Sequence, residues 1–224
     1  MTSTELRAIV LLMSGKARTN RQEVATADPP RRDRRAERRE ATTAEILEAA
    51  WDLVHEHGLG ELSLRDLGDR VGMRAQSLYS YFDSKHAIYD AMFKQGNEEF
   101  LRRVEVVRDT AGTAEERFRL GARAFVDFAL EDAARAQLLF VRIIPGFEPS
   151  AESYAPAVRV LELEQERLHE LGFTDPALLD IWTAMIGGLV QQQISNDPGG
   201  NRWSRRLDDV IDMFLAYARK RKSR

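Results

Sequence analysis

The 224-residue sequence predicts an all-α protein, with a three-helix N-terminal domain built on a helix-turn-helix and a larger helical body behind it. Three observations carry this. Ala, Leu, Glu and Arg are abundant and Pro is rare, seven in all, which favours helix nearly throughout. Apolar residues return at 3.6-residue spacing in segment after segment. Between Ser63 and Lys85 that spacing breaks once, at Gly72, and splits the stretch into two short helices around a corner.

Composition narrows the possibilities further. A hydrophobic content of 43% is enough for a buried core. The chain has no cysteine, which excludes disulfides and thiolate metal sites. No cofactor and no metal are expected. The longest apolar run, Ala8 to Met13, is six residues, against roughly 20 for a membrane-spanning helix. It is also shorter than the ~7–15 apolar residues of a secretory signal, so the expectation is a cytoplasmic protein without membrane contact.

In chain order, residues 1–40 read as a basic, flexible tail. Residues 1–39 carry ten Lys and Arg against five acidic residues, although the whole chain has a net charge of −3. Six Arg fall between Arg31 and Arg39, an arm that suits phosphates or a minor groove, or equally a solvated leader. A first helix is expected from about Thr43 to His57, with Ile46, Ala49, Ala50, Leu53, Val54 and His57 along one face. Thr42 or Thr43 would cap it and touch a phosphate at its amide end. His55 and His57, two apart, face different sides and are read as a surface and a core residue, not as a metal pair.

Ser63 then caps a helix with Leu64, Leu67 and Val71 inward, and Gly72 ends it in a left-handed turn. Met73 anchors the corner. A second helix from about Arg74 to Phe82 turns Leu78 and Phe82 inward and leaves Arg74, Gln76, Ser77, Tyr79 and Ser80 facing out. That outward set holds one Arg and no carboxylate. It suits a major groove, where Arg pairs with guanine and Gln with adenine. The same spacing also fits an ordinary helical hairpin with a solvated face.

The run Leu64-Arg-Asp-Leu-Gly-Asp-Arg-Val-Gly-Met-Arg-Ala-Gln-Ser-Leu-Tyr-Ser-Tyr-Phe-Asp-Ser-Lys85 resembles the DNA-binding signature of the tetracycline-repressor (TetR) family. Ser77-Leu78-Tyr79-Ser80-Tyr81-Phe82, followed by Ser84-Lys85, is its most specific part. The close resemblance covers about Thr43 to Phe93; beyond it only the helical layout is similar. Arg74 departs from the small Ser or Thr cap common in the family. The resemblance implies a DNA-binding domain over 41–86, with Thr43, Arg74, Ala75, Gln76, Ser77, Tyr79, Ser80, Tyr81 and Lys85 on DNA and Lys85 on a phosphate. It also implies a regulatory and dimerisation body over 87–219.

In the body, Ser84 caps a long helix from Lys85 to about Arg108. Thr113 and Glu116 form a capping box for a helix to about Leu130 that carries Phe118, Leu120, Ala124, Phe125 and Phe128. Further helices are expected from Asp132 to about Ile144, from Ala155 to Leu171 after a loop at Phe147 to Tyr154, and over 176–194 behind Asp175-Pro176. The last helix leads into a basic tail at 220–224. Broad apolar stripes on the last two helices (Trp182, Met185, Ile186 and Leu189; Trp203, Val210 and Phe214) fit either burial against a second copy or closure of the chain's own core. Thr183, Ala184, Gly187 and Gly188 leave another side small. The resemblance implies a homodimer and a small-molecule effector held among central helices. Candidate walls are Phe125, Phe128, Phe140, Ile144, Trp182 and Met185, with Phe147 and Tyr154 at a mouth, and they favour a hydrophobic or aromatic effector.

The function expected is a sequence-specific, ligand-responsive repressor that binds a palindromic operator on double-stranded DNA. A non-specific DNA-coating protein is the alternative. An enzyme is the remote one, since no nucleophile elbow, zinc pair or phosphate loop is present.

Overall fold

The computed structural model describes residues 34–222; the rest of the expected N-terminal tail and the last two residues lie outside them. Among the described residues there are nine α-helices and no strand: α1 Arg34–His57, α2 Leu64–Arg70, α3 Ala75–Leu78, α4 Lys85–Arg108, α5 Ala114–Glu131, α6 Ala133–Phe140, α7 Ala151–Glu170, α8 Ala177–Asn196 and α9 Leu207–Lys222. Short 3₁₀ turns at Leu59–Glu61 and Ser204–Arg206 precede α2 and α9.

α1 starts nine residues before the expected Thr43. Thr42 and Thr43 do not cap it: their hydroxyls donate to the carbonyls of Arg38 (3.0 Å) and Arg39 (2.9 Å), a bond that Thr can make anywhere inside a helix. The expected stripe from Ile46 to Val54 is buried, but His57 is exposed and contributes nothing to the core. α1 packs with Leu59, Leu62, Leu67, Leu78 and Phe82 into a first core, which α4 completes with Ile88, Tyr89 and Met92 and α6 with Leu138. Each fully buried Leu, Ile or Val contributes about 1.5–3 kcal/mol.

The body helices start where side chains satisfy their free amides. Ser84 accepts from Ala87 N (3.1 Å) to open α4. Thr113 and Glu116 form the full capping box of α5, and Asp132 accepts from Arg135 N (2.9 Å) at α6. α6 ends at Phe140, four residues before expected, because Val141 is extended (φ −131°, ψ 127°) and Ile144 precedes a proline. α7 starts four residues earlier than expected. Ser150 caps it, and the Ser150 and Ser153 hydroxyls both donate to Asp90 (2.8 Å each). Asp175 accepts from Ala177 N (3.0 Å) at α8. The final helix continues through Lys222, so the described part of the expected basic tail is helix.

The body core joins α5, α6, α8 and α9 around Phe118, Trp182 and Phe214, whose ring centroids lie 4.7–5.8 Å apart. This corrects the expected partner face. Trp182 (2% exposed), Ile186, Leu189 (7%) and Phe214 (0%) are buried in the chain's own core and leave no surface for a second copy. Met185 and Val210 pack half-buried on that core, and Trp203 is half-buried before α9. The stripes close the core because α8 and α9 pack on α5 with those sides. Leu120, expected in the α5 stripe, is exposed.

Candidate nucleic-acid interface and body cavity

The corner between α2 and α3 is fixed by three local devices. The Ser63 hydroxyl accepts from Asp66 N (3.1 Å) at the start of α2. At its end Gly72 (φ +67°) adopts the left-handed conformation, and Met73 N reaches back to the Gly68 carbonyl (2.8 Å). Gly68 is required for a different reason: a Cβ there would stand 2.7 Å from the Met73 carbonyl and 3.1 Å from Ala75 N, so the two strokes of the hairpin meet at a bare backbone.

α3 is shorter than the expected Arg74–Phe82. Past Leu78 the chain turns on i→i−3 bonds, Ser80 N to Ser77 O (3.2 Å) and Tyr81 N to Leu78 O (2.9 Å), and the Ser80 hydroxyl also donates to Ser77 O (2.7 Å). Leu78 and Phe82 nevertheless point inward as expected. Arg74, which makes no side-chain cap, Gln76, Ser77, Tyr79 (51%) and Ser80 are exposed; Ala75 and Tyr81 are half-buried.

The charged residues around this face have distinct settings. Arg39 on α1 lies 5.1 Å over the Tyr81 ring, which brings the basic end of α1 beside the expected contact residues. Lys85 Nζ is 3.4 Å from the Gly60 carbonyl and 5.6 Å over the Tyr89 ring. Thr43 is half-buried well inside α1 and is not at an exposed amide end. Arg70 is held by both oxygens of Glu56 (3.1 and 2.6 Å), whose carboxyl that bond keeps below its ordinary range. Tyr89 donates to the Leu59 carbonyl, and burial pushes its phenol up to about 12.

α4 carries the first core at its start and a cavity further along. The cavity, about 300 Å³, is lined from α4 by Phe93, Asn97, Phe100 and Val104, from α5 by Gly121, Ala122 and Phe125, and from α6 by Leu139 and Phe140. α7 adds Tyr154, Ala157, Val160, Leu161, Glu164 and Arg167, and α8 adds Trp182, Thr183, Ile186 and Gly187. Of the expected walls, Phe125, Phe140, Trp182 and Tyr154 are present. Phe128 is not: it stacks on Phe100 (4.9 Å) beneath the guanidinium of Arg135 (4.0 Å) in a separate small core. Ile144 packs against the first core and Met185 against the body core. Phe147 packs on His86, Tyr89 and Phe93 and does not line this cavity.

Glu164 and Arg167 were not expected here. Their signal was in the sequence: Val160, Leu163, Glu164, Arg167 and Leu168 fall on one face of α7, so two charges interrupt an otherwise apolar stripe. Arg167 is 5% exposed and donates to Glu164 Oε2 (2.7 Å) and to the Val104 carbonyl (2.9 Å). Gly121 makes room for it, since a Cβ there would lie 2.8 Å from Arg167 Nη1. Burial pushes the Glu164 carboxyl up, outweighing the Arg167 guanidinium and the Trp182 indole that favour its charged form.

Residues 46–92 match the family described as bacterial regulatory proteins, tetR family, a span that holds the whole α2–α3 corner. Over those residues the chain is similar to the DNA-binding domain of the TetR family. It is 28% identical over 165 residues to the tetracycline repressor protein class A from transposon 1721 of Escherichia coli, covering 70% of this chain and 69% of that one. It is also 28% identical over 102 residues to the HTH-type transcriptional activator FasR of Mycolicibacterium smegmatis, about half of each chain (46% and 47%). The fold is similar to that of a crystallised protein, SCO4313 (TM-score 0.69, 17% identity, 84% of this chain and 99% of that one). A transcriptional regulator FadR from Bacillus subtilis, solved with stearoyl-CoA, is similar at TM-score 0.59 and 18% identity, over 77% and 97% of the two chains. Among the described residues, no helix is long and apolar enough to cross a membrane.

Proposed function

We propose that this protein is a TetR-family, ligand-responsive repressor that binds a palindromic operator as a homodimer. The observation that carries the reading is one helix serving two sites: α4 packs under the α2–α3 corner through Ile88, Tyr89 and Met92, and lines the cavity through Phe93, Asn97, Phe100 and Val104. Arg74, Gln76, Ser77, Tyr79 and Ser80 read bases or phosphates in the major groove, and Lys85 and Arg39 lie near the backbone. Two copies place their α3 segments one DNA turn apart, roughly 34–36 Å. A ligand that favours a different spacing lowers operator affinity by its differential affinity for the two states.

The pairing surface in this reading is the outward side of the last two helices. It offers Ala184 and Gly188 on α8, and Met213 and Tyr217 on α9. A side chain at Gly188 would meet nothing within 4 Å, so a partner helix has room to approach. The cavity's aromatic lining and its volume of about 300 Å³ favour a compact hydrophobic or aromatic effector over one the size of an acyl-CoA.

Selection of bound duplexes from a random pool at near-physiological salt tests the proposal. The expected product is a palindrome with half-site centres one turn apart. Enrichment without a motif, with a steep salt dependence, would instead identify a coating protein.

A further inference from the structure

We propose that Arg38 and Arg39, on the opening turns of α1, form a clamp for the phosphate backbone of duplex DNA beside the α2–α3 corner, without reading its sequence. The inference rests on the DNA-binding reading and adds a second contact surface to it.

The surface follows from helix register. α1 is helical from Arg34, and its first buried residue is Ile46. Arg39 and Arg38 therefore stand on exposed helix seven and eight residues before the core, about 10–12 Å along the axis. Arg39 aligns with Thr43, Ile46 and Ala50, and Arg38 with Thr42 and Ala49, so both arginines continue the stripe that packs on the core. Glu37, Glu40, Ala44 and Glu48, all exposed, run down the opposite side. Two arginines and two glutamates thus cancel in number between residues 37 and 40, yet the helix sorts them by sign onto separate sides.

The basic side borders the candidate DNA face. Arg39 lies 5.1 Å over the ring of Tyr81, the residue that follows Ser80 of that face. Neither Arg38 nor Arg39 has an ion pair among the described residues, and neither do Arg74 and Lys85. In the body, by contrast, Arg103, Arg119 and Arg159 are each held by two carboxylates. The cations left without a carboxylate here gather where a polyanion would lie.

Helical structure also selects the mode of contact. An α-helix with its side chains is about 10–12 Å across, against about 6 Å for the minor groove. This segment therefore does not enter that groove as an extended arm does. It presents guanidinium forks on long stems, which match pairs of phosphate oxygens. Such contacts add affinity and salt dependence but carry no base information.

Competition titrations of the full chain test this, with a duplex selected from a random pool and a scrambled one, between about 50 and 200 mM salt. The variant is Arg38→Gln/Arg39→Gln. Both positions are exposed and Gln is nearly as good a helix former as Arg, so the melting temperature should not move. With two arginines in each of two protomers and about 0.9 counterion released per phosphate, the slope of log affinity on log salt should flatten by about 3–4 on both duplexes. The ratio of affinities for the two duplexes should stay within about twofold of the wild type. Arg38→Lys/Arg39→Lys, which keeps both charges, should keep the wild-type slope. An unchanged slope in the Gln variant would overturn the clamp and leave the α2–α3 face standing. A slope lost equally in the Lys variant would show that the stems act by packing and not by charge, and a fall in the ratio would place the arginines on bases. If the pool yields no motif, a flatter slope on the scrambled duplex still supports the clamp while the operator reading falls. If no duplex binds at all, both fall.

Discussion

The α2–α3 corner and the cavity are assembled over different distances along the chain. At the corner, Ser63 meets Asp66 three residues away, Met73 reaches Gly68 five residues back, and Ser80 bonds Ser77. At the cavity, Val104 on α4, Gly121 on α5, and Glu164 and Arg167 on α7 meet around one guanidinium. Local bonds of the first kind present side chains outward on a rigid frame, which suits a face that must meet DNA already formed. Contacts of the second kind join several helices, so in the proposed function a molecule that enters the cavity would act on their relative placement, and α4 would carry it to the corner.

The largest test of this contrast removes a long-range contact. Phe118→Ala takes a wholly buried ring from between Trp182 and Phe214 and should cost about 3–5 kcal/mol of stability. The molecules that remain folded should bind operator as the wild type does. A selective loss of operator affinity at unchanged stability would show that the body core and the corner are not separable in this way.

Gly68→Ala should be smaller in stability and larger in function. Its Cβ would press on the Met73 carbonyl, backbone that cannot swing aside, at a cost of about 1–3 kcal/mol. Operator affinity should fall by more than the loss of stability accounts for, because the angle between α2 and α3 opens. Equal thermal stability and equal operator affinity in the variant would mean the corner is looser than its bonds imply.

What the sequence disclosed follows the same division. Ser63, Gly72, Ser84 and the Thr113–Glu116 box are signals complete within a few residues, and the structure uses each where the spacing put it. Thr42 and Thr43 misled because a threonine hydroxyl serves a helix start and a helix interior equally well, by bonding forward to an amide or back to a carbonyl. Phe128, Ile144 and Met185 misled because periodicity says that a side chain points inward but not which of three cores or a cavity it reaches. The same limit applies to the last two helices: Trp182 and Phe214 stripe them whether the other surface is α5 or a second copy.

Two smaller effects separate base reading from backbone contact. Gln76→Ala should cost about 1–3 kcal/mol on the operator and relax specificity at one base pair, whereas Lys85→Ala should weaken binding to all duplexes alike and flatten the salt dependence. Competition titrations with operator and scrambled duplexes measure both. A Lys85 effect confined to the operator would place that side chain on a base.

The smallest effect lies at the α5 capping box. Thr113→Ala should cost about 1 kcal/mol of stability and leave operator binding unchanged. The Glu116 carboxyl is held below its ordinary range, first by the Thr113 backbone N–H and then by its hydroxyl. A lowered folded value means that its stabilisation is present in full above the unfolded value near ~4.3 and is lost as pH falls through the folded one. Glu116→Gln should therefore be less stable than the wild type at neutral pH, with the gap closing below about pH 4 in thermal melts. A gap that stayed constant down to pH 3 would show that the charge takes no part in the cap.

In the proposed function the exposed face from Arg74 to Ser80 reads sequence. The measurement that bears on it most directly is the ratio of dissociation constants for the selected palindrome and a scrambled duplex at near-physiological salt, taken for the wild type and for Arg74→Ala/Gln76→Ala. A wild-type preference of about 10³ or more is expected, as is a double variant that keeps its melting temperature while losing most of that preference. A double variant that discriminated as well as the wild type would place sequence reading elsewhere on the protein.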